Sequence, residues 1–311
     1  LVLHRRYSGQ AEVSGATGAA PRRSGLVLAA GFFSIIPMPA FTEIGENETR
    51  RALRWFPTLG ALFGLAAGLA GAATLLVSGA HLLAAVIVLL IWQALAGAMH
   101  LDGLADCFDG LAALGSRKEG RDAARALEIM RTPDTGAMGV AAIVLVLLVQ
   151  VGALSAAPDA RTLLVLAILA PAVGRAAILI ASRPGVPAAR KGGFGALFHE
   201  VTPPTQIAIQ MLLIAAVAVG LGWWAAGWVG AIGLGCSLAI AVLVSLVWVH
   251  RLVGAFGGLS GDMFGAIIDH EARVGLICGF LSQKEQFGSL LSNLHPEPAL
   301  QVSANADRIA F

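Results

Sequence analysis

Residues 82–110 read LLAAVIVLLIWQALAGAMHLDGLADCFDG. The first eighteen are apolar enough and nearly long enough to cross a bilayer. The run then ends abruptly, and three aspartates, Asp102, Asp106 and Asp109, follow within eight residues. If that part is helical, their spacing of i, i+4 and i+7 puts all three carboxylates on one face. Three like charges on one face repel unless a cation neutralises them, and Mg2+ favours oxygen ligands of this kind, often completed by substrate phosphates. Acids next to a membrane-type segment are costly and for that reason usually functional. A solvated acidic face on a capped helix is the plainer alternative.

The rest of the chain repeats the apolar theme. Its 311 residues are 57% hydrophobic and 13% charged, with a mean hydropathy of +0.78. Soluble domains carry about 25% charged residues. We therefore read an all-α, polytopic helical membrane protein, in which 38 glycines suit close helix contacts. The formal net charge of +2 gives no sign of nucleic-acid binding. Cys107, Cys236 and Cys278 are scattered and form neither a disulfide framework nor a thiolate metal site. Cys107 reads as a small buried filler.

The expected spans are 56–77, 82–99, 137–154, 163–181, 205–222 and 229–249. A seventh segment, 26–41, is apolar but broken by Pro37 and Pro39, and fits a short span, a re-entrant piece or an interfacial helix. This places an integral membrane domain at 26–281, a disordered tail at 1–25 and a polar tail at 282–311. At the end of that domain, 274–281 is a short apolar piece expected to dock on the bundle. Trp223, Trp224 and Trp228 resemble an interfacial aromatic belt. The spans are joined in pairs by short turns at 78–81, 155–162 and 222–228, whose one Lys or Arg is Arg161. The long polar loops, with Arg117, Lys118, Arg121, Arg125, Arg131, Arg183, Arg190 and Lys191, all fall on the other side. The positive-inside rule places that side in the cytoplasm, so three loops converge on one cytoplasmic face of a multi-pass protein in the cell membrane. Such a face suits an enzyme acting on water-soluble phosphorylated substrates.

Three further constellations carry chemistry. Residues 128–139, EIMRTPDTGAMG, form a turn in which Arg131 suits a phosphate and Asp134 a metal or a hydroxyl proton, while Thr132, Asp134 and Thr135 are equally candidate caps for the next helix. Residues 190–198, RKGGFGALF, are basic and glycine-rich, and such backbones can cradle phosphate oxygens. Residues 257–265, GGLSGDMFG, offer Asp262 as a fourth metal-ligating acid or as a helix cap. Arg175 stands inside the fourth apolar run, where it either binds a phosphate or an aspartate, or snorkels to the membrane surface. His100 is a candidate base, or simply closes the second span at the interface.

Together these motifs resemble the cobalamin synthase family, the adenosylcobinamide-GDP ribazoletransferases. The resemblance rests on 33–39 ending Pro-Met-Pro, FPTLG at 56–60, HLDGLADCFDG at 100–110, the 128–139 motif and GGLSGDMFGA at 257–266. It departs at Thr132, where the family often has an acid, and after Asp262, where Asp269 and Glu271 are the nearest counterparts of a family glutamate. The resemblance implies transfer of adenosylcobinamide-GDP to α-ribazole, or its 5′-phosphate, with release of GMP. It implies Mg2+ on Asp102, Asp106, Asp109 and Asp262, with one of the acids or His100 taking a proton. Arg131, Arg175, Arg183 and Lys191 would hold phosphates, and other enzymes of cobalamin biosynthesis would be partners. Two rival readings are a membrane phosphotransferase of the CDP-alcohol type, whose aspartate spacing differs, and a cation transporter, which would place acids at mid-membrane in several spans.

Overall fold

The computed structural model describes residues 24–38, 44–115 and 123–269. The tails, Pro39 to Phe41, Arg117, Lys118, Arg121, the 274–281 piece, Glu271 and Cys278 lie outside the described residues. Among the described residues there is no strand, only an isolated parallel bridge between Ala188 and Leu259.

Helix α1 (Gly25–Phe33) and α2 (Glu46–Leu53) precede the bundle. At nine residues, α1 rises only about 14 Å, too little to cross a bilayer. It docks instead, burying Leu28, Phe32 and Phe33. Of the three readings of 26–41, the span is therefore excluded. Among the described residues, four helices are long and apolar enough to cross: α3 (Phe56–Ser78), α7 (Ala137–Ser155), α8 (Ala160–Ala181) and α9 (Pro204–Phe256). The 53 residues of α9 are broken at Ala226 and Gly227. Gly222 and Gly230 lie backbone to backbone across the break, and an added Cβ at either would overlap the other's carbonyl. Ile214 shares a buried cluster with Leu238 and Ala241. The chain thus doubles back as an antiparallel hairpin, with Trp223, Trp224 and Trp228 exposed around its tip. The turn expected at 222–228 is this break.

The second span differs from its sequence reading. Helix α4 (His81–Ala96) ends three residues early, and α5 (Met99–Gly115) leaves it at 86°. The corner is Gly97 and Ala98, both left-handed at φ 64° and 54°. An alanine in that region costs about 1 kcal/mol, so the surrounding packing must hold it there. Ile35 N–H donates to Leu95 O across the corner at 3.1 Å. Counting α4 and both arms of α9, the described residues contribute six apolar segments to the bundle. A short α6 (Ala123–Ile129) lies between α5 and α7.

Helix α8 is the axis of the bundle, buried along most of its length where the other long helices keep broad exposed flanks. Small residues of α3 make this possible: Gly60 and Gly64 lie directly on the backbone of 167–172, so dispersion contacts replace the hydrophobic drive that lipid does not supply. Leu76, Leu145, Leu212 and Leu243 point outward, as lipid-facing positions should.

Candidate active site

The three-aspartate stretch is helical, the condition under which its spacing puts the acids on one face, but its three carboxylates meet three different environments. Asp102 is exposed, and Asp106 and Asp109 are half-buried. The glycine following Asp102 sets what lies opposite: Gly103 rests on the backbone of Asp262, and a Cβ there would overlap the Asp262 carbonyl. This close approach seats Asp262 beside Asp102 and Asp106. Asp262 lies in the first turn of the helix described over 261–269, where the helix dipole favours an anion. The Ser260 hydroxyl donates to its Oδ2 at 3.4 Å.

The crowding has an electrostatic signature. Burial, then Asp262, Asp102 and Asp109, push the Asp106 carboxyl up to about 7. Burial also raises Asp262, opposed by its own backbone N–H, by Ser260 and by Arg190. Two neighbouring acids raised chiefly by burial, with nearby carboxylates adding to it, form a cation-seeking pair. Cys107, between them in sequence, is buried, and burial pushes its thiol up to about 12. It packs and is no nucleophile at neutral pH.

Asp109 does something else. Its Oδ2 accepts from Gly136 N–H at 2.7 Å and its Oδ1 from Gly139 N–H at 2.8 Å. Gly136 is the N-cap of α7 and brings no side-chain cap of its own. The carboxylate of α5 therefore caps a different helix, and both its oxygens are engaged. Neither Thr132 nor Asp134 caps α7. The Thr132 hydroxyl donates to Ile129 O at 2.8 Å, and Asp134 is exposed in the turn. A cap reaching in from 27 residues upstream leaves no local sequence signal.

The basic residues also divide. The 182–203 loop docks on 257–260 through Ala189 N–H to Leu259 O at 3.0 Å and Leu259 N–H to Pro187 O at 2.9 Å. This carries Arg190 to the acid cluster, with Asp262 on one side and Arg131 on the other. Arg190 also donates to the Leu127 carbonyl. Sequence reading placed Arg190 in a phosphate-type loop without singling it out, and it is the cation closest in effect to Asp262. Lys191, next in the loop, is exposed, as is Arg131. Arg183 is held at the end of α8, donating to Ile180 O at 2.8 Å.

Arg175 and His100 are apart from this group. Arg175 is only 3% exposed and does not snorkel. Its guanidinium lies 5.1 Å over the Phe63 ring, donates to Pro171 O at 3.3 Å and meets His100 Nε2 at 3.5 Å. His100 is buried against Phe33, ring centroids 5.7 Å apart, and turned from the exposed face of α5. The described residues contain no set of three or more His, Cys, Asp or Glu side chains converging as a ready-made metal shell. Mg2+ needs no such shell, since it retains waters and uses one or two carboxylates with substrate phosphates. The paired acids fit that demand: they are raised by burial and by neighbouring carboxylates, partly accessible, and flanked by cations that suit phosphates.

Residues 25–280 match the family model described as cobalamin-5-phosphate synthase. Among curated relatives, an adenosylcobinamide-GDP ribazoletransferase of Pseudomonas putida (strain W619) is 36% identical, over 78% of this chain and 92% of that protein. One of Roseiflexus sp. (strain RS-1) is 33% identical over 79% and 85%. One of Corynebacterium efficiens is 32% identical over 86% and 94%. No solved structure matches the chain.

Proposed function

The chain belongs to the cobalamin-5-phosphate synthase family, and from that membership we propose that it joins adenosylcobinamide-GDP to α-ribazole, or its 5′-phosphate, and releases GMP. A ribazole hydroxyl forms a bond to the cobinamide-side phosphorus of the diphosphate. The bond from that phosphorus to the bridging oxygen breaks, GMP leaves with that oxygen, and the hydroxyl proton passes to a carboxylate of the acid cluster. The observation that carries this reading is the seating of Asp262 against α5 by Gly103, which gathers acids from two distant motifs opposite the basic loop.

In this reading Asp102, Asp106 and Asp262 hold Mg2+, which when bound neutralises the diphosphate and the leaving GMP. Arg190 and Arg131 flank the phosphates, and Arg suits such bidentate contacts better than Lys. Lys191 and Arg183 extend the positive rim. Asp109 keeps α7 and its preceding turn, with Arg131, in place. The basic rim faces the cytoplasm by the positive-inside asymmetry of the loops, in the cell membrane, where partners of the same biosynthesis can hand over a large corrinoid.

The test uses the full chain in liposomes, with adenosylcobinamide-GDP, α-ribazole and Mg2+, following GMP. Release should require both α-ribazole and the metal, and Asp106→Asn should lower kcat by about 10³, the scale of one electrostatic group at a transition state. Full activity in Asp106→Asn would remove the acid pair from the reaction. Wild-type protein that folds but releases no GMP would remove the reaction itself.

A further inference from the structure

Beside His100 and Arg175, the bundle holds a second polar site. A cavity of ≈ 30 Å³ is lined by Trp92, Gln93, His100, Gln150, Arg175 and Asp269, together with apolar residues. Trp92, His100, Gln150, Arg175 and Asp269 are each more than nine-tenths buried. Gln150 Nε2 donates to Asp269 Oδ1 at 3.2 Å. Around this pair, Trp92 Nε1, Gln93 Oε1, His100 Nδ1, Gln150 Oε1 and Arg175 Nε have no hydrogen-bond partner among the described residues.

Five buried polar atoms without partners would each cost about 1–3 kcal/mol, and a marginally stable protein cannot carry that sum. They are scattered over five different side chains, yet all five chains line the same cavity. Two of the five atoms are N–H donors, two are carbonyl acceptors, and the His100 nitrogen is either, depending on its tautomer. An ion would select one sign of partner. Water takes both, and a cavity needs ~10–15 Å³ to hold one water.

We propose that this cavity is a structural water site that couples Arg175 of α8 to His100, fixing the first turn of α5 and so the placement of Asp102 and Asp106. His100 is then a positioning residue: its ring lies between Arg175 and the water, on the side of α5 away from the substrate face. The proposal goes beyond the transfer reaction, and its direct readouts are independent of turnover.

The first readout is a density map of the protein in nanodiscs at a resolution that shows water. Density within hydrogen-bonding reach of at least two of the five atoms is expected. A dry cavity, or a rotamer set in which these side chains pair with one another, would overturn the proposal. The second is amide exchange followed by mass spectrometry on His100→Leu and His100→Gln. Glutamine keeps a polar group at the Nε2 position facing Arg175. His100→Leu should raise exchange across 99–110 at least fivefold while leaving the α9 hairpin unchanged, and His100→Gln should restore protection. Equal exchange in both variants and wild type would overturn the coupling. Where GMP release is measurable, kcat should fall at least tenfold in His100→Leu with KM within about twofold, and recover in His100→Gln. Loss in both variants with normal exchange would make His100 a proton carrier and overturn the positioning role. Absence of GMP release from wild type would count against the transferase reading alone.

Discussion

The two ends of α5 present the same side chain to opposite ends. At the N-terminal end, Asp102 and Asp106 stand with Asp262, and burial together with these neighbouring acids raises Asp106 to about 7. At the C-terminal end, Asp109 lies between two backbone N–H groups at the start of α7, where hydrogen bonds and the helix dipole both favour its charge. A regular i, i+4, i+7 spacing predicts one shared role for three residues. The structure instead gives a crowded acid pair with raised carboxyls and a strut already satisfied by backbone amides. Equal spacing along a helix therefore fixes which way side chains point, while the neighbour each one meets decides what it does.

The largest effect that could break this contrast is on turnover. Asp106→Asn should cost about 10³ in kcat with little change in thermal stability, because it relieves repulsion. Asp109→Ala should do the reverse in kind: hydrogen bonds to a charged group are worth about 1.5–3 kcal/mol each, and loss of this cap should lower stability by about 2 kcal/mol. Its turnover should fall far less, and Asp109→Asn, which still offers one acceptor, should lie between. Thermal melts of the reconstituted protein beside initial rates check both. If Asp109→Ala retained full stability and lost as much rate as Asp106→Asn, the division of α5 into pair and strut would fail.

Next in size is the contact that creates the pair. Gly103→Ala places a methyl into the Asp262 carbonyl, and backbone there cannot move as a flexible side chain can. α5 and the 261–269 helix must separate, so Mg2+ affinity, read by titration of metal against GMP release, should weaken at least tenfold. Gly110, which faces the Met130 side chain and Phe256 rather than backbone, should tolerate alanine better. Equal losses at both would mean that helix packing in general, rather than the seating of Asp262, sets metal affinity.

Much of this was legible beforehand and some was not. The six apolar segments, the hairpin turn near Trp224 and the helical register of the aspartates follow from hydropathy and spacing, which are local properties. So does the nomination of Asp262, since an acid among glycines is conspicuous. The right-angle corner at Gly97 and Ala98 was not legible, because alanine carries no signal for a left-handed backbone and an apolar run reads straight through it. The Asp109 cap was hidden because its partners are backbone groups of a distant helix. Arg175 offered a phosphate or aspartate partner and snorkelling equally, and the structure buries it against the Phe63 ring and His100 instead. Arg190 was one of several loop cations until the Ala188–Leu259 bridge placed it opposite Asp262.

The smallest expected effect separates the two ends of α5 by pH. Asp106 has a folded-state pKa of about 7 against 3.8 for the ordinary carboxyl. Between those values the folded chain holds a proton that the unfolded chain has lost, so metal-free stability should decline as pH rises from about 4 to about 7. The carboxyl is only half-buried, and solvent screening keeps the slope shallow. Asp106→Asn should flatten it, because no proton is then exchanged at that site. Mg2+ should flatten it too at saturating concentration, since a cation among Asp102, Asp106 and Asp262 displaces the proton and holds the carboxylates charged. Asp109→Asn should flatten the slope only slightly, since Asp109 is the weakest of the three carboxylates acting on Asp106 and its own direct partners are the amides of Gly136 and Gly139. A metal-free slope that survives Asp106→Asn would locate the repulsion elsewhere and leave the acid pair without its electrostatic basis.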